Sequence, residues 1–162
     1  MNLFIFGPEG GGRYTLAKFY LKTYFKEEFI AATMSTELTN TSKLREFVGE
    51  IKRLNIEIIK PSLNKSYAEF KALDRKIYYG LGAIKNVGYE AISNIVRERI
   101  KNGKFKSFED FIKRVDSKDV NKLQLEGLTK AGVFDEFDKD RNKIYISIPK
   151  IIQEIKKIND DK

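Results

Sequence analysis

The stretch Leu81, Gly82, Ala83, Ile84, Lys85, Asn86, Val87, Gly88, Tyr89, Glu90, Ala91 and Ile92 holds the residue types best suited to chemistry, and that chemistry is the holding of an anion. A sharp chain reversal needs backbone positions that accept positive φ. Gly88 is expected to supply one, because it has no Cβ to clash. Asn86 is expected to supply another, since asparagine enters the left-handed region more readily than most side chains. Val87, between them, should point inward and lock the bend. The amides from Tyr89 onward would then open a helix. The first N–H groups of a helix have no intrahelical acceptor and sit at the positive end of its dipole, which suits them to phosphate. Lys85 adds a full charge beside them. The same residues would also serve as a plain tight turn packed in a core.

Other chemistries are poorly supplied. The sequence has no cysteine and no histidine, so it cannot build a disulfide, a thiolate metal site, a Ser-His-Asp triad or a histidine-based zinc site. Carboxylate chemistry needs acidic residues gathered at one place, and here they are scattered among lysines. No catalytic residue, metal ligand or cofactor site is expected. The formal net charge is +8, which points to a polyanionic partner. Within residues 76–122, eleven basic residues face six acidic ones. Most of the excess charge therefore surrounds the anion-holding stretch. No run approaches the roughly 18 apolar residues of a membrane span, and a cytoplasmic protein without membrane contact is expected.

The elements that must position this stretch are mostly helical. Ala17, Tyr20, Leu21 and Tyr24 share one face of a long helical pattern, with Phe29, Ile30, Thr33 and Met34 on another. Asn40 can cap a second helix with Leu44, Phe47, Val48, Ile51 and Leu54 at helical spacing, ended by Asn55. Residues 56–60, 67–70 and 76–79 read as short strands. After the bend, Ile92, Ile95, Val96 and Ile100 form an apolar stripe that stops at Asn102 and Gly103. Ser107, with Asp110 three residues on, opens the next helix, whose face is Phe108, Phe111, Ile112 and Val115. Asn121 caps another, carrying Leu125, Leu128 and Ala131 and stopping at Gly132. Ile144, Ile146 and Ile148 precede Pro149, after which a lysine-rich helix is expected to fray.

The bend has an echo. Residues 81–88 can be laid over residues 125–132, each with two aliphatics three apart and a closing glycine. Two related hairpins in tandem explain this simply, and they extend the expected backbone-binding set to Lys130, Ala131 and Gly132. The next residues are Val133, Phe134 and Asp135 and not an obvious helix, so an ordinary glycine cap is the alternative there.

Residues 81–92 resemble a helix-hairpin-helix motif. With Phe29, Ile30, Ala31, Ala32, then Asn40, Thr41, Pro61, Asn64 and Ser66, and later residues 105–111, 120–122 and 130–135 in order, the chain resembles the alpha subunit of bacterial DNA polymerase III. The resemblance runs from about Tyr20 to about Ile155. It implies a mainly α fold with a small β element, in which a tandem helix-hairpin-helix domain follows a helical subdomain derived from the polymerase fingers. The corresponding divisions are a non-family segment at 1–19, the fingers-derived subdomain at 20–75, the hairpin domain at 76–135 and a helical tail at 136–162. The implied partner is the duplex DNA backbone, contacted by Lys85, Asn86, Val87, Gly88, Tyr89, Lys130, Ala131 and Gly132, with the remaining parts of the polymerase as a further partner. Nothing here corresponds to the family's palm aspartates, so the chain looks like a fragment.

Two other function classes stand beside this one. The chain would dock onto other replicase parts with little DNA contact, through the apolar faces of residues 40–54 and 107–115. Alternatively, residues 3–6 would form a strand running into Gly7, Pro8, Glu9, Gly10, Gly11 and Gly12, imitating a nucleotide-binding loop. That motif needs lysine and then serine or threonine after its last glycine. Arg13 and Tyr14 stand there instead, with Thr15 displaced by one. On the leading reading the purified chain should show no template-dependent extension of a primer, and robust incorporation would overturn it.

Overall fold

Asn40 opens a strongly amphipathic helix by accepting a hydrogen bond from the Lys43 amide at 3.2 Å. We describe the fold from a computed structural model covering residues 12–162, with the side chains of residues 12–15 and 17 set aside. The strand expected at residues 3–6 and the glycine-rich turn after it lie outside the described residues. Helix α1 spans Gly12–Tyr24 and α2 spans Lys26–Ser35, so the long helical pattern is broken at Phe25. Helix α3 is Thr41–Arg53, and Asn55 ends its approach to the sheet at φ 55°.

Leu44 and Ile51, seven residues apart on α3, are buried against Ile30, Ala31 and Met34 of α2 and against Phe70 and Ile77. Three short strands complete this smaller core: β1 (Glu57–Ile59), β2 (Lys71–Leu73) and β3 (Lys76–Tyr78), in the order β1-β3-β2. The β1–β3 pair is parallel, and β2–β3 is an antiparallel hairpin. Asp74 and Arg75 turn it with φ of 51° and 60°, the two left-handed positions that a two-residue hairpin requires. That turn dictates register, pairing Leu73 with Lys76 and Ala72 with Ile77. The strand expected at residues 67–70 therefore lies at 71–73. Its predecessor is engaged elsewhere, for the Tyr67 and Ala68 carbonyls accept the amides of Leu81 and Gly82 at 2.8 and 2.9 Å.

The larger core is built from α4 (Tyr89–Asn102), α5 (Phe108–Arg114), α6 (Lys122–Lys130) and α7 (Arg141–Asp160). The capping expectations hold here: Ser107 accepts from the Asp110 amide and Asn121 from the Gln124 amide. Gly103 and Gly132 take φ of 86° and 79°. Phe105, Phe108, Phe111 and Phe134 pack as a cluster with ring centroids 5.0 to 6.0 Å apart.

Two expectations fail in this core. Ile100 is 69% exposed, and Arg99 occupies the apolar stripe instead at 6%. Helical geometry explains it, because position i+7 from Ile92 returns close to the stripe's centre while i+8 swings well off it. Arg99 is tolerated because its Nη1 donates to the Leu63 and Ser66 carbonyls, both at 2.6 Å. Its guanidinium also lies over the Tyr67 ring, 5.0 Å from the centroid. The expected fraying after Pro149 is also absent: α7 continues through the proline, and Ile144, Ile148, Ile151 and Ile155 are all buried. Pro149 is on the exposed side, where a missing N–H leaves its partner carbonyl open to water.

The turn between α4 and α5 is closed by Arg114. It donates to Glu98 at 3.0 Å, to Asp110 at 3.1 Å and to the Gly103 carbonyl at 2.8 Å, and stacks on Phe105. The Lys106 amide, and then Arg114, hold the Asp110 carboxyl below its ordinary range. Burial works against the charge on Glu98, but hydrogen bonds from Asn102 and Arg114 outweigh it and lower its pKa as well. Both groups are depressed, so their contribution is present above the unfolded values of about 3.9 and 4.3 and is lost as pH falls through the folded values. A melting temperature that is flat near neutrality and drops below about pH 4 is therefore expected, with the acid-side drop reduced in Arg114→Met. Equal acid sensitivity in the variant would remove this clasp from the account.

Candidate nucleic-acid interface

The anion-holding stretch folds as a short arm, a bend and a long helix. The first arm is a single 3-10 turn, Leu81–Ala83, and not the α-helix that the motif suggests. The Leu81 and Gly82 amides donate sideways to residues 67 and 68, while those of Ala83 and Ile84 close the single turn on Gly80 and Leu81. Leu81 is fully buried. Ile84 is extended, and the bend closes when the Val87 amide donates to the Ile84 carbonyl at 3.1 Å.

Asn86 takes φ of 66°, as expected of it. Gly88 does not: its φ is −74° and ψ 130°. Gly88 is the N-cap of α4, a position that is ordinarily extended, and one left-handed residue suffices for the reversal. A Cβ built on Gly88 would meet nothing closer than 3.8 Å. Neither its φ nor its packing calls for glycine, and a small side chain there would make only ordinary contacts with Gln124 and Ala91 at the start of α4. Val87 is 9% exposed and belongs to the larger core, so the bend is locked inward as expected.

The amides divide into two sets. Gly88 donates to the Gln124 side-chain oxygen at 3.3 Å. Those of Tyr89, Glu90 and Ala91 have no acceptor among the described residues, and the first helical bond of α4 is Ile92 to the Gly88 carbonyl. Three free N–H groups thus point out of the first turn of a 14-residue helix. Tyr89 is 46% exposed beside them. Its hydroxyl donates to Glu69 at 2.6 Å, and this bond raises the phenol above its ordinary pKa.

Two residues that hold the bend were not singled out from the sequence. Gly127 of α6 faces the Lys85 carbonyl so closely that a Cβ there would lie 2.6 Å from that oxygen and 3.6 Å from Val87. A glycine inside a helix is the signal that marks such an approach. Gln124, one turn earlier, is 2% exposed and supplies the acceptor for Gly88. Lys130 follows Gly127 by three residues, on the same face of α6. Lys85 and Lys130 are both exposed.

The second copy of the pattern has a different geometry. Gly132 donates to the Thr129 carbonyl and Val133 to the Leu128 carbonyl. That is the paired bonding of a Schellman cap, with Leu128 and Val133 making its apolar contact. The Ala131 amide goes to Gly127. All three amides are committed inside the chain, so Ala131 and Gly132 offer no donors. The glycine-cap alternative applies there, and only the Lys130 side chain, 5.1 Å over the Tyr145 ring, remains outward.

The basic segment is likewise thinned by the fold. Arg99 is buried, Arg114 is held by two carboxylates, and Lys76 pairs with Glu57 at 3.1 Å. Lys85, Arg97, Lys101, Lys104, Lys106, Lys113, Lys118 and Lys122 stay exposed. Among the described residues, no group of three or more acidic side chains is placed to hold a metal ion, and no helix is long and apolar enough to cross a membrane.

Comparison with known proteins agrees with the geometry. The helix-hairpin-helix motif family matches residues 55–144, more than half of the chain. The DNA polymerase III subunit alpha of Borreliella burgdorferi is 41% identical over 143 residues, covering 88% of this chain and 12% of that protein. Its counterpart in Campylobacter jejuni is 38% identical over 160 residues, covering 94% of this chain and 13% of its own length. The Helicobacter pylori (strain ATCC 700392 / 26695) subunit is 42% identical over 138 residues, covering 80% and 11% respectively. The chain thus spans roughly an eighth of the length of these relatives. A buried valine behind a left-handed asparagine, a helix that opens on free amides and this alignment lead to one assignment: the chain belongs to the helix-hairpin-helix family and matches DNA polymerase III alpha subunits across that region.

Proposed function

We propose that the chain binds the backbone of duplex DNA without sequence preference, through the bend at residues 85–91, and that it serves DNA replication by positioning duplex for a polymerase. The observation that carries this is the free set of amides at Tyr89, Glu90 and Ala91, beside exposed Lys85 and behind a glycine that the fold itself does not require. Such a set holds a phosphate oxygen by three roughly convergent N–H groups at a positive helix end. It reads no base edge, so its contribution is electrostatic and independent of sequence. Lys85, Asn86, Val87, Gly88 and Tyr89 act as one unit here: Asn86 makes the reversal, Val87 anchors it, Gly88 leaves the approach open, and Lys85 and Tyr89 flank the phosphate. From the second pattern the contribution is the Lys130 charge.

The competing reading, docking onto other replicase parts with little DNA contact, is favoured by one observation. Leu16, Phe19 and Tyr24 on α1 and Phe25 just after it are 61%, 66%, 69% and 40% exposed, a band of large apolar side chains near one end of the described chain. Duplex binding separates the two readings.

With one hairpin engaging one or two phosphates, log affinity against log salt should fall with a slope of about −1 to −2. Gly88→Val fills the open approach, and binding should be lost while the melting temperature stays close to that of the parent. Binding unaffected by this change would favour the docking reading. Gly127→Ala acts from the other side, forcing α6 off the Lys85 carbonyl. It should destabilise the fold by about 1–3 kcal/mol and weaken duplex binding together with stability, as chemical denaturation and anisotropy titrations would show.

A further inference from the structure

We propose that Gln124 is a positioning residue for this interface, setting the direction of the free amides by holding Gly88 from behind; the inference rests on the phosphate-binding reading given above. Gln124 is a neutral polar side chain, 2% exposed, on the first turn of α6. Burial of a carboxamide is costly unless both its ends are satisfied. Here both are: the oxygen accepts from the Gly88 amide at 3.3 Å, and the nitrogen donates to the Asp119 carbonyl at 2.5 Å.

The two bonds together fix the orientation of the side chain. A backbone carbonyl can only accept, so the amide nitrogen must face Asp119 and the oxygen must face Gly88. Asp119 is itself held, because its carboxylate accepts from Asn94 at 2.9 Å, and the Asn94 oxygen accepts from Arg97 at 2.7 Å. A continuous chain of hydrogen bonds therefore runs from α4, through the loop before α6, to the amide that precedes the open set. Turning the Gly88 N–H inward sets the peptide plane between Val87 and Gly88. Packing adds little further restraint on Gly88, since a Cβ there would make only ordinary contacts, with the Gln124 oxygen at 3.8 Å and the Ala91 Cβ at 3.9 Å. Without Gln124 the Gly88 N–H loses its acceptor, and glycine, the most permissive residue type, gains freedom to rotate, with the bond from the Ile92 amide to its carbonyl left to hold the directions of the amides at Tyr89, Glu90 and Ala91.

The choice of glutamine has a second consequence. It offers an acceptor to the backbone without placing negative charge behind an anion site. A carboxylate in that position would accept from Gly88 equally well but would repel a phosphate.

The test uses the whole chain and a short duplex of mixed sequence, comparing the parent with Gln124→Met, which keeps the length of the side chain and removes both hydrogen bonds. Three quantities are read: duplex affinity by anisotropy, melting temperature, and amide hydrogen exchange at Gly88 relative to Ile95 in the same helix. Exchange at Gly88 should quicken about tenfold relative to Ile95, and affinity should fall about three- to tenfold. A merely structural role would change exchange at both amides together. If Gln124→Met does not fold, Asn94→Ala, at the partly exposed far end of the chain of bonds, is measured by the same criteria with smaller shifts in the same direction. Unchanged Gly88 exchange overturns the proposal, and so does quickened exchange with unaltered affinity. A parent chain that fails to bind duplex at all sinks the phosphate-binding reading instead, and the Gly88 exchange result distinguishes that outcome.

Discussion

The approach of α6 to the Lys85 carbonyl is the contact on which the interface depends. A glycine at position 127 lets a helix backbone lie against the outside of a tight bend, close enough that one added methylene would overlap a carbonyl oxygen. That single approach allows the burial of Val87 and the reach of Gln124 to Gly88. Helix α7 then lies along α6, with four isoleucines buried between them and their neighbours. The bend is held from outside by the second half of the chain, since its own first arm is only one turn of 3-10 helix.

That arrangement explains why the two similar stretches of sequence behave differently. Both reverse the chain with one left-handed residue, Asn86 in the first and Gly132 in the second. In the first, the chain leaves the bend in extended conformation and starts a new helix, so its leading amides stay free. In the second, the chain folds back on the helix it has just left, and its amides satisfy that helix's last carbonyls. The same residue pattern therefore gives an open donor set in one place and a closed cap in the other. Which one forms depends on whether a helix comes after the glycine or before it.

Positive charge is also sorted by the fold. Arginine tends to be used internally: Arg99 ties residues 63 and 66 to α4, Arg114 ties α4 to α5, and Arg141 ties Asp135 to the start of α7. These roles suit a planar fork that can meet several oxygens at once. Most lysines of the same region stay outside, where they can offer charge to a polyanion.

Much of this was legible in the residues themselves, because the signals are local. Asn40, Ser107 and Asn121 cap helices through their own side chains, Asn55, Asn86, Gly103 and Gly132 take positive φ where a reversal needs it, and apolar spacing marks the buried faces of α3, α5 and α6. The strand at 71–73, the exposed Ile100, the extended Gly88 and the continuous α7 could not be read this way. The first follows from the hairpin turn beside it, which sets register; the others involve atoms distant in sequence: carbonyls that accept the buried arginine next to Ile100, a glutamine on another helix that accepts from Gly88, and a core wall that keeps α7 going past its proline. The sequence by itself determined where the chain bends, which helices cap and what sort of partner its charge attracts. Only the tertiary structure decided which amides remain free, since a donor is open or closed according to what packs behind it.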